Sequence, residues 1–251
     1  MKELNFKQFK DNFKKYQEDG FCVIRNILNP SDIEDLMQIL SKIIEQYKDD
    51  ANVGSYINYA DREKGIVNSI HRLQEFNNPE LDRFIKKNSF KEIADFFLNS
   101  DSYLFSIQAF LKPPGIGLKT PIHQDNAYWC HDGNGGITLW ISLDKAGKFN
   151  SMMKFAKRSP NHLITHIQSN NTPGSSQIIP DSIISEYEWE QPELNKGDVS
   201  IHHGYVLHFS EVNNSDKPRR GFLLNFRSKN CKRDEKMYSD YLERLEKIYG
   251  R

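Results

Sequence analysis

His123-Gln124-Asp125 sets an imidazole and a carboxylate two positions apart, and a second histidine-bearing stretch, Gly197-Asp198-Val199-Ser200-Ile201-His202-His203-Gly204-Tyr205-Val206-Leu207-His208, lies far downstream. Two imidazole nitrogens and one carboxylate oxygen on one face of a metal leave the opposite face open, an arrangement that suits non-haem Fe(II) and its reaction with O2. On extended chain the period of two turns His123 and Asp125 to the same side, so one ion can be reached by both. The third ligand has to come from elsewhere, and His202, His203 and His208 compete for the place. Neighbours in a strand face opposite ways, so one of His202 and His203 is expected as a hydrogen-bonded interior imidazole and the other as an outward filler. His71, His131, His162 and His166 read as ordinary histidines, neither ligands nor catalysts. Arg219 and Arg220 follow the turn Asn213-Asn214-Ser215-Asp216-Lys217-Pro218. A guanidinium fork holds a carboxylate by two parallel charge-assisted hydrogen bonds where lysine acts as a point charge. Spacing alone does not choose between that role and a pair of solvated charges beside a turn.

The elements that must position these groups fall into two textures. Phe6, Phe9, Phe13 and Tyr16 recur at helical spacing up to Gly20, and Phe21-Cys22-Val23-Ile24-Arg25 then reads as a strand. Asn29-Pro30-Ser31-Asp32 supplies a cap, a proline at the first helical position and an acidic first turn before the stripe Ile33, Leu36, Met37, Leu40, Ile43 and Ile44. A further helical stretch runs from Pro79 to Phe97 with a break near Asn88-Ser89, where a new cap starts Phe90 to Leu98. From about Tyr103 the chain changes to short runs rich in β-branched and aromatic residues: Tyr103 to Leu111, Gly136 to Leu143, Asp198 to His203 and Arg220 to Phe226. Many short strands separated by turns predict a sandwich or barrel. Asp234 to Tyr249 closes the chain as a charged helix with Met237, Tyr241, Leu245 and Ile248 on one stripe.

The 251 residues suffice for one substantial core. We read a single domain over 1–251, with a helical part to about residue 100, a β core over about 101–228 and a helix over about 232–250. Lys+Arg and Asp+Glu are both 34, so no overall field favours nucleic acid or an anionic membrane, and the expected partner is a small molecule. Three scattered cysteines without a CxxC pair read as reduced thiols. The charged N-terminus lacks the apolar stretch of a signal peptide and no run approaches a membrane span, so the expectation is a cytoplasmic protein. Nothing in the sequence speaks to oligomeric state.

The residues resemble the phytanoyl-CoA dioxygenase family of Fe(II)/2-oxoglutarate oxygenases, which includes ectoine hydroxylase. The likeness runs from about Phe21 to Phe226. It is carried by Leu111-Lys112-Pro113-Pro114-Gly115, Pro121-Ile122-His123-Gln124-Asp125-Asn126-Ala127-Tyr128-Trp129, Thr138-Leu139-Trp140-Ile141-Ser142-Leu143, and His208-Phe209-Ser210 with Asn213, Ser215, Pro218 and Arg219. The resemblance implies a mainly β fold with flanking helices around a double-stranded β-helix core, the jelly roll of cupin-like proteins. It implies Fe(II) on His123, Asp125 and His208, with 2-oxoglutarate and O2 as co-substrates. It places the distal carboxylate of 2-oxoglutarate on Arg219, Ser210 nearby, and Gln108 and Trp140 along the pocket. Tyr128 and Trp129, just past the first ligands, are candidate substrate contacts. Related halogenases replace the ligand carboxylate with a small residue, so an intact Asp125 implies hydroxylation. Where the family commonly reads Asn-Gly-Cys and then Pro-Gly-Ser-His, this chain has Asn150-Ser151-Met152-Met153 and Arg158-Ser159-Pro160-Asn161-His162, so no substrate carries over, an acyl-CoA thioester included. The expected activity is hydroxylation of an aliphatic carbon of a small molecule with release of succinate and CO2. The alternative is a cupin-like binding protein without turnover or with another metal.

Overall fold

The computed structural model describes residues 9–133, 135–159, 161–168 and 176–249, so the Phe6 start of the first expected helix and the Ile248 side chain lie outside the described residues. The first hundred residues form α1 (Lys10–Asp19), β1 (Phe21–Ile24), α2 (Pro30–Tyr47), β2 (Ile57–Asp61), β3 (Ile66–Ile70), α3 (Pro79–Lys87) and α4 (Phe90–Leu98). Then come β4 (Ser102–Phe110), β5 (Thr120–His123), the one-turn α5 (Asn126–Trp129), β6 (Gly136–Ser142), β7 (Lys154–Ala156), β8 (Ile167–Gln168) and β9 (Gln177–Ile178). The chain ends with β10 (Trp189–Glu190), β11 (Val199–His203), β12 (His208–Ser210), β13 (Gly221–Ser228) and α6 (Glu235–Tyr249).

Two antiparallel sheets make the jelly roll. The larger runs β1-β11-β6-β13-β4-β3-β2 and the smaller β10-β7-β12-β5. The stretch expected to be helical thus also contributes three strands to the larger sheet. Its β2–β3 hairpin escaped the sequence reading because Asn58, Asp61 and Asn68 break the apolar alternation, and its register shifts twice.

Strand period decides which side chains meet the site. On β13 the odd and even positions separate: Phe222, Leu224 and Phe226 enter the core shared with α2, α3 and α4, while Leu223, Asn225 and Arg227 turn to the cavity between the sheets. β6 divides likewise, with Ile137, Leu139 and Ile141 toward the helices and Thr138 and Trp140 inward. Because helices cover the outer face, these strands read as nearly continuous apolar runs. α2 begins as its residues require, with the Asn29 side chain accepting from the Asp32 N–H at 2.9 Å and Ile33, Leu36, Ile39, Leu40 and Ile43 buried. One irregularity matters later: between β4 and β13 the pairing steps from Asn225↔Ser106 to Phe226↔Leu104, so Phe105 is an extra residue in a β-bulge. Among the described residues no helix is long and apolar enough to cross a membrane.

Candidate metal centre and co-substrate pocket

His123 ends β5 and His208 opens β12, and the two are paired across the antiparallel ladder. Directly opposed residues hold their Cβ atoms about 5 Å apart, which brings the two rings to 4.2 Å between centroids. Each ring is aimed by its own backbone: Nδ1 of His123 donates to the Pro121 carbonyl at 2.8 Å and Nδ1 of His208 to the Val206 carbonyl at 2.9 Å. Both Nε2 lone pairs are therefore left for an ion.

Asp125 reaches them by a different route from the one expected. The chain leaves extended geometry here, and Asp125 takes helical angles (φ −56°, ψ −33°) as the residue before α5. The intervening Gln124 is fully buried and pinned on four sides, donating to the carbonyls of Tyr205 and His162 and accepting from Ile164, while its own N–H goes to His166 Nε2. Asp125 Oδ1 lies 3.6 Å from His123 Nε2 and 3.7 Å from His208 Nε2. Its Oδ2 is engaged elsewhere, accepting from Thr138 Oγ1 at 2.6 Å and His202 Nε2 at 3.1 Å.

One ligand atom from each of His123, Asp125 and His208 lies within 4.8 Å of the others. Burial pushes the Asp125 carboxyl up, but the imidazoles of His208, His123 and His202 gathered around it outweigh burial and hold the group well below the usual carboxylate range. Burial, with the neighbouring imidazoles, holds His208 well below its ordinary value. An ionised carboxylate beside an unprotonated imidazole is the state a divalent cation needs. Two nitrogens and one oxygen, all from one side, fit the open-faced Fe(II) arrangement.

His202 thus holds the carboxylate rather than competing with His208. The expected outward filler, His203, is not outward: it is 6% exposed and packs edge-on against Tyr16 of α1, 6.0 Å between centroids. The period-two argument separated the two faces correctly but took the far face for solvent, whereas α1 covers it.

A cavity of about 650 Å³ opens beside these residues and is lined by every other sequence-nominated group, Gln108, Tyr128, Trp129, Trp140, Ser210 and Arg219 among them. Arg219 is 1% exposed, its Nη2 donates to Ser210 Oγ at 3.0 Å, and its guanidinium lies 5.5 Å over the Trp140 ring. Trp140 in turn fills the space left by the missing side chain of Gly221. Buried Nε of Arg219 has no partner among the described residues, and burial pulls its guanidinium down to about 9. Arg220 is the structural one of the pair, with Nε and Nη2 both on the Asp144 carboxylate.

Three contributors were not nominated from the sequence. Thr138 and Asn225 continue inward from Asp125, with Asn225 Nδ2 donating to Thr138 Oγ1 at 2.8 Å and Gln108 Nε2 to Asn225 Oδ1 at 3.1 Å. Thr138 shares the strand parity of Trp140, a signal that was available. Lys112 is fully buried behind Ser210, donating to Ser210 Oγ and the Glu211 carbonyl at 2.7 Å each. Burial, and then Arg219, push its amine down to about 5. The lysine stood in plain view in Leu111-Lys112-Pro113, but nothing local shows where its side chain goes.

The remaining buried and partly buried histidines set an acid limit. His71, His131 and His166 are each pushed down to about 4, chiefly by burial. Between about 4 and the ordinary 6.5 the unfolded chain binds protons that the folded one does not, so stability is complete above 6.5 and declines as pH falls toward 4. The thermal midpoint should drop continuously through this window, with these three rings alone taking up nearly three protons on unfolding near its middle. A midpoint flat across the window, read by scanning calorimetry in matched buffers, would contradict the burial of these rings.

With the geometry in hand, a family model for phytanoyl-CoA dioxygenase (PhyH) matches residues 16–221. The phytanoyl-CoA dioxygenase domain-containing protein 1 homolog of Caenorhabditis elegans is 24% identical over 84% of this chain and 88% of its own. Among solved structures, AviO1 from Streptomyces viridochromogenes Tue57 shares the fold at TM-score 0.70 and 20% identity, covering 88% of this chain and 95% of that one. EctD from S. alaskensis, solved with 2-oxoglutarate and 5-hydroxyectoine, does so at TM-score 0.70 and 16% identity, covering 87% of this chain and 76% of its own.

Proposed function

Since the chain belongs to the phytanoyl-CoA dioxygenase family and is a non-haem Fe(II)/2-oxoglutarate-dependent dioxygenase, we propose that it hydroxylates an aliphatic carbon of a small molecule, with succinate and CO2 as co-products. His123, Asp125 and His208 hold the iron, and Arg219 with Ser210 receives the distal carboxylate of 2-oxoglutarate. When bound, Fe(II) with 2-oxoglutarate and O2 supplies the oxidising power and one oxygen atom for the substrate carbon.

The residues do the rest by placement. Thr138 and His202 occupy Asp125 Oδ2, which leaves Oδ1 as the ligand oxygen and fixes its direction. Ser210 Oγ accepts from both Lys112 and Arg219, so its single O–H is free to point at the arriving carboxylate. Gln108 and Trp140 wall this pocket, and Tyr128 and Trp129 face the chamber from α5, where they are placed to touch substrate. Burial of this set excludes water from the reacting groups.

The observation that carries the reading is that three donor atoms within 4.8 Å of one another share one cavity with a buried arginine that has no carboxylate partner among the described residues. Anaerobic loading with Fe(II) and 2-oxoglutarate, followed by O2 and fractionated metabolites, tests it. Succinate release coupled to a one-oxygen mass gain is the expected outcome. Metal-independent turnover, or none with any fraction, would leave the alternative of a cupin-like binding protein.

A further inference from the structure

Among the described residues, four guanidinium groups line the cavity, Arg72, Arg219, Arg227 and Arg233, against a single carboxylate, Asp125. Two of the four are already neutralised: Arg72 pairs with Glu75 at 3.2 Å and Arg233 with Glu235 at 3.1 Å. Arg219 is the buried cation given above to the co-substrate. Arg227 is left over, and its surroundings have the same signature.

Its Nη1 donates to His131 Nε2 at 3.2 Å, its guanidinium lies 4.9 Å over the Tyr103 ring, and its Nε is buried with no hydrogen-bond partner among the described residues. It forms no ion pair among the described residues. Since a guanidinium only donates, His131 Nε2 must accept, which puts that ring's proton on Nδ1. His131 is 3% exposed and its Nδ1 also has no partner. Two buried N–H donors and one full positive charge are thus left without an acceptor at one end of the chamber. A cation with no carboxylate partner beside unsatisfied donors is poised to gain from an anionic group.

Strand register locates that end. The inward positions of β13 and the residues before it run Arg219, Gly221, Leu223, Asn225, Arg227, and Asn225 pairs with Thr138, which holds Asp125. The metal ligands therefore stand at the level of Asn225, with Arg219 six residues to one side and Arg227 two residues, about 7 Å, to the other. A co-substrate anchored at Arg219 approaches the metal from one side. Arg227 faces whatever approaches from the other, beside the aromatic walls of Phe105 and Trp129, whose rings meet edge-on at 5.4 Å.

We propose that the substrate carries an anionic group, a carboxylate or phosphoryl group, that binds Arg227 while the carbon to be oxidised lies between it and the metal. The inference rests on the assignment of Arg219 to 2-oxoglutarate. The short spacing from Arg227 to the metal level sets the oxidised carbon only a few bonds from the acidic group, and Phe105 with Trp129 takes the apolar part of the molecule.

The test uses the full chain loaded anaerobically with Fe(II). Calorimetric titration with 2-oxoglutarate comes first; failure to bind overturns the assignment of Arg219 and the functional reading with it. The loaded protein is then titrated with inorganic phosphate and with acetate, and with chloride at matched ionic strength. Saturable binding of phosphate or acetate but not chloride is expected, weakened about tenfold or more by Arg227→Gln and by less than about threefold in Arg227→Lys, which keeps the charge. Arg158→Gln, a surface cation beside Glu188 and outside the cavity, should bind like the wild type. Which anion binds more tightly separates a phosphoryl from a carboxylate substrate. If 2-oxoglutarate binds but neither anion saturates, or Arg227→Gln leaves their binding unchanged, this inference fails and the functional reading stands.

Discussion

Replacing His208 with alanine abolishes Fe(II)-dependent consumption of 2-oxoglutarate. In the proposed centre the imidazole supplies one of three donors, and its ring is held by the Val206 carbonyl so that Nε2 stands 3.7 Å from Asp125 Oδ1. Removing it leaves one histidine and one carboxylate, too few to fix an ion. The loss of metal affinity should exceed the roughly 10- to 100-fold that outer hydrogen-bond partners are worth. His202→Ala is the matched control, because His202 touches Asp125 through the other oxygen. It should lose about 10- to 100-fold in Fe(II) affinity and keep measurable turnover. Iron binding by equilibrium dialysis and succinate release by mass spectrometry read the two variants together. Normal turnover in His208→Ala, or a deeper loss in His202→Ala, would transfer the ligand role to the other histidine.

Arg219→Lys should raise the KM for 2-oxoglutarate about 10- to 100-fold, because one of two charge-assisted hydrogen bonds is lost at a buried site. The replacement is not conservative here. A shorter-headed ammonium cannot stack on Trp140, donate to Ser210 and still present a second prong, and it would join the already buried amine of Lys112. Arg220→Lys should leave that KM within about twofold and act instead on stability, since its two donors serve Asp144. Initial rates over a 2-oxoglutarate series, paired with thermal unfolding, distinguish the two. The reverse ranking would mean that the co-substrate uses the other arginine.

Much of this arrangement could be seen in the chain before its structure, and the reasons are local. Asn29 and Pro30 announce α2 because a cap and an N1 proline act through neighbouring backbone. Short runs of β-branched and aromatic residues between turn residues announce β6 and β13, because helices cover one face of each and leave few polar positions. The choice between Arg219 and Arg220 was invisible, because it depends on Asp144, far away in sequence, reaching one of them. The choice among His202, His203 and His208 was equally a tertiary matter: it turns on a pairing of β12 with β5 and on α1 covering the back of β11. Lys112 and Gln124 are polar residues at full burial, and their partners come from segments that no spacing rule connects. What sequence supplied there was the family likeness of the flanking motifs, not the contacts.

The bulge at Phe105 has an evolutionary consequence. Its backbone already stands outside the ladder between β4 and β13, so two successive side chains, Phe105 and Ser106, both turn toward the chamber. Exchanging the aromatic ring for a smaller or larger group there would disturb no inter-strand pairing and no metal ligand. Descendants of this scaffold can retune the volume offered to a new molecule at that one point while inheriting the oxidation chemistry intact.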